Sequence, residues 1–183
     1  MPAGRVVRAP EEAAAATTEL GGPVVVKAQA HTGGRGKGGG VKLAATPDEA
    51  VEAAASILGM RLVTGQTGPM GLPVDSVLVE EQIDIAREIY LGIVIDNAVG
   101  APVVICSSAG GMDIEQIAED HPEQIHRAVL DPTLGFMPHQ ARQLAFATGL
   151  DGDLLRPAVA LMEALARAFL DSDGTLVEIN PLV

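Results

Sequence analysis

The spacing of hydrophobic and polar positions changes several times along the chain, and each change marks an element. Residues 24–29 alternate, with Val24, Val26 and Ala28 on one side of an extended segment and Val25, Lys27 and Gln29 on the other. Residues 41–43 read as a second strand, residues 76–80 as a buried strand ending in a carboxylate, and residues 5–8 as a possible short one. Pro10 opens an alanine-rich helix to about Leu20, with Glu11 and Glu12 at its positive end and Gly21-Gly22-Pro23 as its stop. Thr46-Pro47-Asp48-Glu49 is a capping box for a helix to about Leu58, with Gly59 as its C-cap. Residues 65–73 are rich in glycine and proline and read as a loop.

The second half begins with two alternating runs, residues 88–96 and 102–107, around the hairpin signal Asn97-Ala98-Val99-Gly100. A small-residue turn over 107–111, a short helix over 113–119 and a loop over 131–135 follow. A helix over 138–148 stops at Gly149. Asp151 caps a longer one ending near Leu170, with Leu154, Leu155, Ala158, Leu161, Met162 and Leu165 as its apolar face. Residues 175–180 read as a final strand. No segment repeats another. The pattern predicts an α+β chain of two lobes, residues 1–82 and 83–183, joined near Glu80 to Ile83.

With 183 residues, 48% of them hydrophobic, the chain can bury a core in one domain or two small lobes. A net charge of −12 argues against nucleic acid or an anionic membrane as partner. It also makes the few cations informative where they gather, which is around residues 27–42. The single cysteine, Cys106, forms no internal disulfide and fits a reducing, cytoplasmic setting. Its apolar surroundings suggest a buried, inert thiol rather than a nucleophile. No apolar run reaches membrane-spanning length, and no charged-then-apolar leader is read.

The candidate chemistry starts at Lys27. A lysine in so apolar a strand is expensive unless an anion meets it. The following loop, residues 33–40, holds six glycines with Arg35 and Lys37, and its backbone N–H groups could approach phosphate oxygens. Gly34-x-Gly36-x-x-Gly39 matches a dinucleotide fingerprint by letters only, since a strand and not a helix follows. No Ser or Thr follows Lys37, so this is not a Walker A loop. A phosphate-covering flap fits better, and a hairpin with solvated cations is its alternative. With six glycines and no apolar anchor, the loop is expected to be mobile until a ligand orders it. Glu80 ends a hydrophobic strand at the lobe junction and is either a ligand group in a cleft or a solvated strand end. Glu88 shares a face with Tyr90 and Gly92, a face that could equally be plain solvent surface. Glu178 and Asn180 are two apart on one strand face, opposite Val177 and Ile179; two oxygen donors there would suit Mg²⁺, or form a polar sheet edge. His31, His121, His126 and His139 show neither triad order nor metal spacing and read as structural or surface residues.

Taken together, Val26-Lys27-Ala28-Gln29 with Gly33-Gly34-Arg35-Gly36-Lys37, the stretches Leu58 to Thr67 and Asp84 to Gly92, Gly110-Gly111-Met112-Asp113-Ile114-Glu115, and Glu178-Ile179-Asn180-Pro181-Leu182-Val183 resemble the β subunit of succinate–CoA ligase (succinyl-CoA synthetase, ADP- or GDP-forming). Malate–CoA ligase β subunits share these motifs. The resemblance implies an ATP-grasp fold of two lobes gripping a nucleotide, ATP or GTP, in an enzyme of the tricarboxylic acid cycle. It implies that Lys27 and Gly34-Arg35-Gly36 hold phosphates, that Glu80 and the backbone near Ile83 meet the base, and that Glu88 meets the ribose. Asn180 would be a Mg²⁺ ligand, and Glu178 would act where a phosphohistidine of a partner α subunit docks. The family makes an acyl-CoA from a carboxylic acid, CoA and nucleoside triphosphate. Measured against that family, the chain is expected to stop before the last ATP-grasp strands. The aspartate that joins Asn180 at Mg²⁺, and the C-terminal domain that meets the α subunit and the acid, would then fall outside it. A nucleotide-binding module without ligase activity is the alternative.

Overall fold

The computed structural model describes residues 2–111 and 114–183. Its chain divides into two compact units, Met1–Asp84 and Ile85–Val183.

In the first unit, strands β1 (Gly4–Val7), β2 (Val24–Ala28), β3 (Val41–Ala44) and β6 (Val77–Glu81) form an antiparallel sheet in the order β1-β6-β2-β3. The alternation at residues 24–28 is obeyed: Val24, Val26 and Ala28 are fully buried, while Val25 and Lys27 are half-buried on the other face. Helices α1 (Pro10–Leu20) and α2 (Pro47–Ile57) supply Ala13, Ala16, Ala50, Ala54 and Ile57 to the same core. Small side chains let these helices lie close to the sheet. Proline stands in the first turn of both. At α2, Thr46 Oγ1 accepts from the Glu49 N–H, 3.2 Å, and the Glu49 carboxylate accepts from the Ala45 N–H, 2.7 Å. The returning bond thus reaches the residue before the cap.

The Gly/Pro-rich loop holds more structure than its composition suggests. Arg61–Leu62 (β4) pairs with Leu72–Pro73 (β5) in a two-stranded ribbon. Leu62 is fully buried in the first unit's core.

In the second unit, β7 (Ile89–Asp96), β8 (Ala101–Ser107), β9 (His126–Val129) and β10 (Leu176–Leu182) form a sheet in the order β10-β7-β8-β9, again antiparallel. One face carries Ile89, Leu91, Ile93, Val104 and Cys106 and is buried with residues of α4 (Pro138–Ala147) and α5 (Leu155–Asp171), among them Leu144, Met162 and Phe169. The short helix α3 (Ile114–Asp120) follows the β8 turn. Its expected start at Asp113, and Met112 before it, lie outside the described residues. The segment His126–Val129 is a strand that the hydrophobic pattern does not mark. Asp151 makes no side-chain cap; a 3₁₀ turn at Gly152–Leu154 leads into α5 instead. Among the described residues no helix is long and apolar enough to cross a membrane.

Candidate functional site

Lys27 lies on the outer face of the first sheet. Its partner in the pairing of β2 with β6 is Leu78, and Glu80 stands opposite Val25. Lys27 and Glu80 are therefore diagonal neighbours on one face, within reach of long side chains. Lys27 Nζ donates to Glu80 Oε1 at 2.5 Å, with the two side chains only 29% and 18% exposed. The anion that the buried-lysine argument demanded is thus, in the protein itself, Glu80. Read along the chain, these two residues have separate duties, yet the strand register brings them together.

The glycine-rich segment after β2 folds back on the same end of the sheet. Arg35 donates from its guanidinium to the Ala28 carbonyl, 2.9 Å, which fixes it at the end of the Lys27 strand. The turn closes on itself through Gly40 N–H to Arg35 O, 2.8 Å, and Gly39 N–H to Gly36 O, 3.1 Å. It is also tied to the segment after β4: Gly33 N–H donates to Gln66 Oε1 at 2.7 Å, and the Thr32 and Thr64 hydroxyls are 2.8 Å apart. The expectation that this loop lacks an apolar anchor is corrected by Leu62. A Cβ on Gly38 would fall 2.7 Å from Val63 O and 2.8 Å from Leu62 Cδ1, so only glycine lets the turn lie this close. Lys37 and His31 are exposed, and Ile83 sits in the exposed segment that follows β6.

A second set of predicted residues gathers on the outer face of the second sheet. Glu178 and Asn180 share the exposed side of β10, while Val177 and Ile179 pack toward the core. The register slips between Ile179 and Leu182, so Asn180 lies in a bulge. Its Oδ1 accepts from the Gly111 N–H at 2.8 Å. Glu88 reaches the same turn: its carbonyl accepts from Gly110 N–H at 3.0 Å, and a Cβ on Gly111 would fall 2.5 Å from Glu88 Oε2. Glu88 also lines an open depression of ≈ 490 Å³ with Ile85, Ala86, Arg87, Ser108 and Gly110. Arg87 turns its guanidinium to the Gly149 carbonyl, 2.9 Å.

The sequence pattern marks Tyr90 only as a neighbour of Glu88. It is buried, and burial, followed by the charges of Glu178 and Glu115, holds its phenol well above the usual tyrosine range. Cys106 is fully buried and its thiol is pushed up to about 11 by desolvation, which suits an inert residue. His121 lies 3.4 Å from Glu123 on the surface. Among the described residues no group of three or more His, Cys, Asp or Glu could hold a metal alone. Asn180 and Glu178 are hard oxygen donors, which suits Mg²⁺, an ion that keeps water and phosphate as its other ligands.

The whole chain, residues 1–183, matches the ATP-grasp domain family. It is 49% identical over 184 residues to the succinate–CoA ligase (ADP-forming) subunit beta of Desulfatibacillum aliphaticivorans, covering 100% of this chain and 48% of that protein. It is 51% identical over 183 residues to the protein of the same name from Solibacter usitatus, covering 100% and 47%. The chain spans about half the length of the curated relatives it matches. Among solved structures, the dinucleotide-forming acetyl-coenzyme A synthetase 1 of Ca. Korarchaeum cryptofilum, in complex with coenzyme A, Ca-AMPCP and HgCl⁺, superimposes with a TM-score of 0.76 at 19% identity, covering 100% of this chain and 79% of that one. That likeness is one of fold.

Proposed function

Because the chain belongs to the ATP-grasp domain family, we propose that it forms the nucleotide-binding portion of an acid–CoA ligase that makes succinyl-CoA from succinate, CoA and ATP. The observation that carries this reading is 49% identity, sustained over the full chain, to a succinate–CoA ligase β subunit. The name of that relative favours ATP over GTP and succinate over malate.

In this reading Lys27 and the Gly34-Arg35-Gly36 turn meet the phosphates. Glu80 holds Lys27 extended in the meantime, so the ammonium is placed before a ligand arrives. Glu80 and the backbone at Ile83 take the base, and Glu88 takes the ribose. Asn180 is the Mg²⁺ ligand of the chain; when bound, that ion offsets phosphate charge. Glu178 faces the phosphohistidine of a partner α subunit, where a carboxylate can hold an imidazole in one orientation. The complex works in the cytoplasm.

The test mixes the chain with γ-labelled ATP, Mg²⁺ and the α subunit of the Desulfatibacillum relative, then follows acid-labile label on histidine. Label that Glu178→Gln reduces about a hundred-fold or more supports the reading; the general range for such groups is roughly 10²–10⁴. Nucleotide binding without any label would instead establish a binding module with no ligase chemistry.

A further inference from the structure

Tyr90 stands on the β7 face that looks away from the core, where the neighbouring Ile89 and Leu91 do not, yet it is only 4% exposed. Its ring runs along the strand over Gly92. A Cβ at position 92 would fall 2.5 Å from Tyr90 Oη, 2.9 Å from Cζ and 3.0 Å from Cε1, so the missing side chain is what admits the phenol. Gly92 is the register partner of Glu178 across the ladder of β7 with β10. The hydroxyl is therefore delivered beside the carboxylate of Glu178, an otherwise exposed residue. Burial and the Glu178 and Glu115 charges keep that phenol protonated, hence a donor, across the working range of pH.

The geometry points to Tyr90 as a positioning residue: it fixes the direction of Glu178 by donating its phenol hydrogen to the carboxylate, with Gly92 as the gap that lets it do so. The inference deepens the ligase reading and rests on it for the importance of Glu178, though the contact itself does not. An exposed glutamate would otherwise sample several rotamers, and a buried, rigid donor removes most of them.

The chain has one tyrosine and no tryptophan, so its ring signals report on this place alone. The test labels the tyrosine ring and the glutamate carboxylates with ¹³C in the 183-residue chain, and assigns Glu178 by the signal lost in Glu178→Gln. Tyr90→Phe, which keeps the ring and removes the donor, is expected to shift the Glu178 carboxylate signal while the circular dichroism stays unchanged. Reciprocally, Glu178→Gln is expected to shift the Tyr90 Cζ signal more than Glu115→Gln does. This second arm needs only a surface substitution, so it stands even where Tyr90→Phe fails to fold. A Cζ signal unmoved by Glu178→Gln overturns the inference. Calorimetry with ATP on the same samples separates the two proposals. Coupled signals in a chain that binds no nucleotide overturn the ligase reading and leave the contact; unmoved signals in a chain that binds ATP overturn the contact alone.

Discussion

The two units are built alike but set different polar groups on the outer faces of their sheets. Each is an antiparallel sheet with one face under helices and its polar residues on the other face. In the first unit the outer face centres on cations, with Lys27 held by Glu80 and Arg35 held by the Ala28 carbonyl. In the second, the outer face carries Glu88, Glu178 and Asn180, and N–H groups of a glycine turn donate to the Glu88 carbonyl and to Asn180 Oδ1. The difference teaches that a chain of net charge −12 does not meet a polyanion by overall attraction. In the proposed reading it offers local cations for phosphate in one place and hard oxygens for a divalent ion in another.

The anchoring of the first unit's turn is the easiest part of this comparison to break. Leu62 fills space in the core and also lies under Gly38 and Gly40. Leu62→Ala is expected to destabilise the first unit by about 2–5 kcal/mol in chemical denaturation. It should also lower hydrogen-exchange protection of the Gly39 and Gly40 amides. A loss well under about 1 kcal/mol would mean that the turn is not seated on this side chain.

The second unit depends on a closer approach. A Cβ on Gly110 would lie 2.5 Å from the Glu88 carbonyl carbon and the Ile89 nitrogen, whereas one on Gly36 meets nothing within 4 Å. Gly110→Ala should therefore cost about 1–3 kcal/mol, and Gly36→Ala should stay within about 0.5 kcal/mol of wild type. Equal thermal midpoints for the two variants would contradict the packing described for the Glu88–Gly110 turn.

Much of this was legible in the sequence, and the misses have physical causes. Strong periodicity and turn chemistry marked β2, α1, α2 and the β7–β8 hairpin, because local preference and tertiary packing agree there. The strand His126–Val129 was missed because it has little β-propensity of its own; pairing with β8 makes it. The β4–β5 ribbon is two residues a side, too short for any period. The Lys27–Glu80 pair joins residues 53 apart, and only strand register reveals it. Tyr90 gave no signal of its own, since an aromatic residue in a strand reads first as core; the glycine two residues on was the available clue.

The smallest expected effect concerns a surface loop of the second unit. Asp131 accepts from the N–H groups of Leu134 and Thr133, which hold its carboxyl below the usual range. A lowered folded-state value means that its contribution is present above the unfolded value of about 4 and is lost as pH falls through the folded one. Asp131→Asn should therefore flatten the acid side of a plot of melting temperature against pH, leaving neutral pH little changed. An identical acid limb in both proteins would remove this role.

The central claim, that the cation set of the first unit is a phosphate site, is tested most directly by calorimetry of ATP binding to the chain and to its Lys27→Ala variant. The account predicts measurable binding in wild type. Losing a charge-assisted contact of roughly 1.5–3 kcal/mol should then weaken it about ten- to hundred-fold. Equal affinities in two folded proteins, or no binding by either, would contradict it.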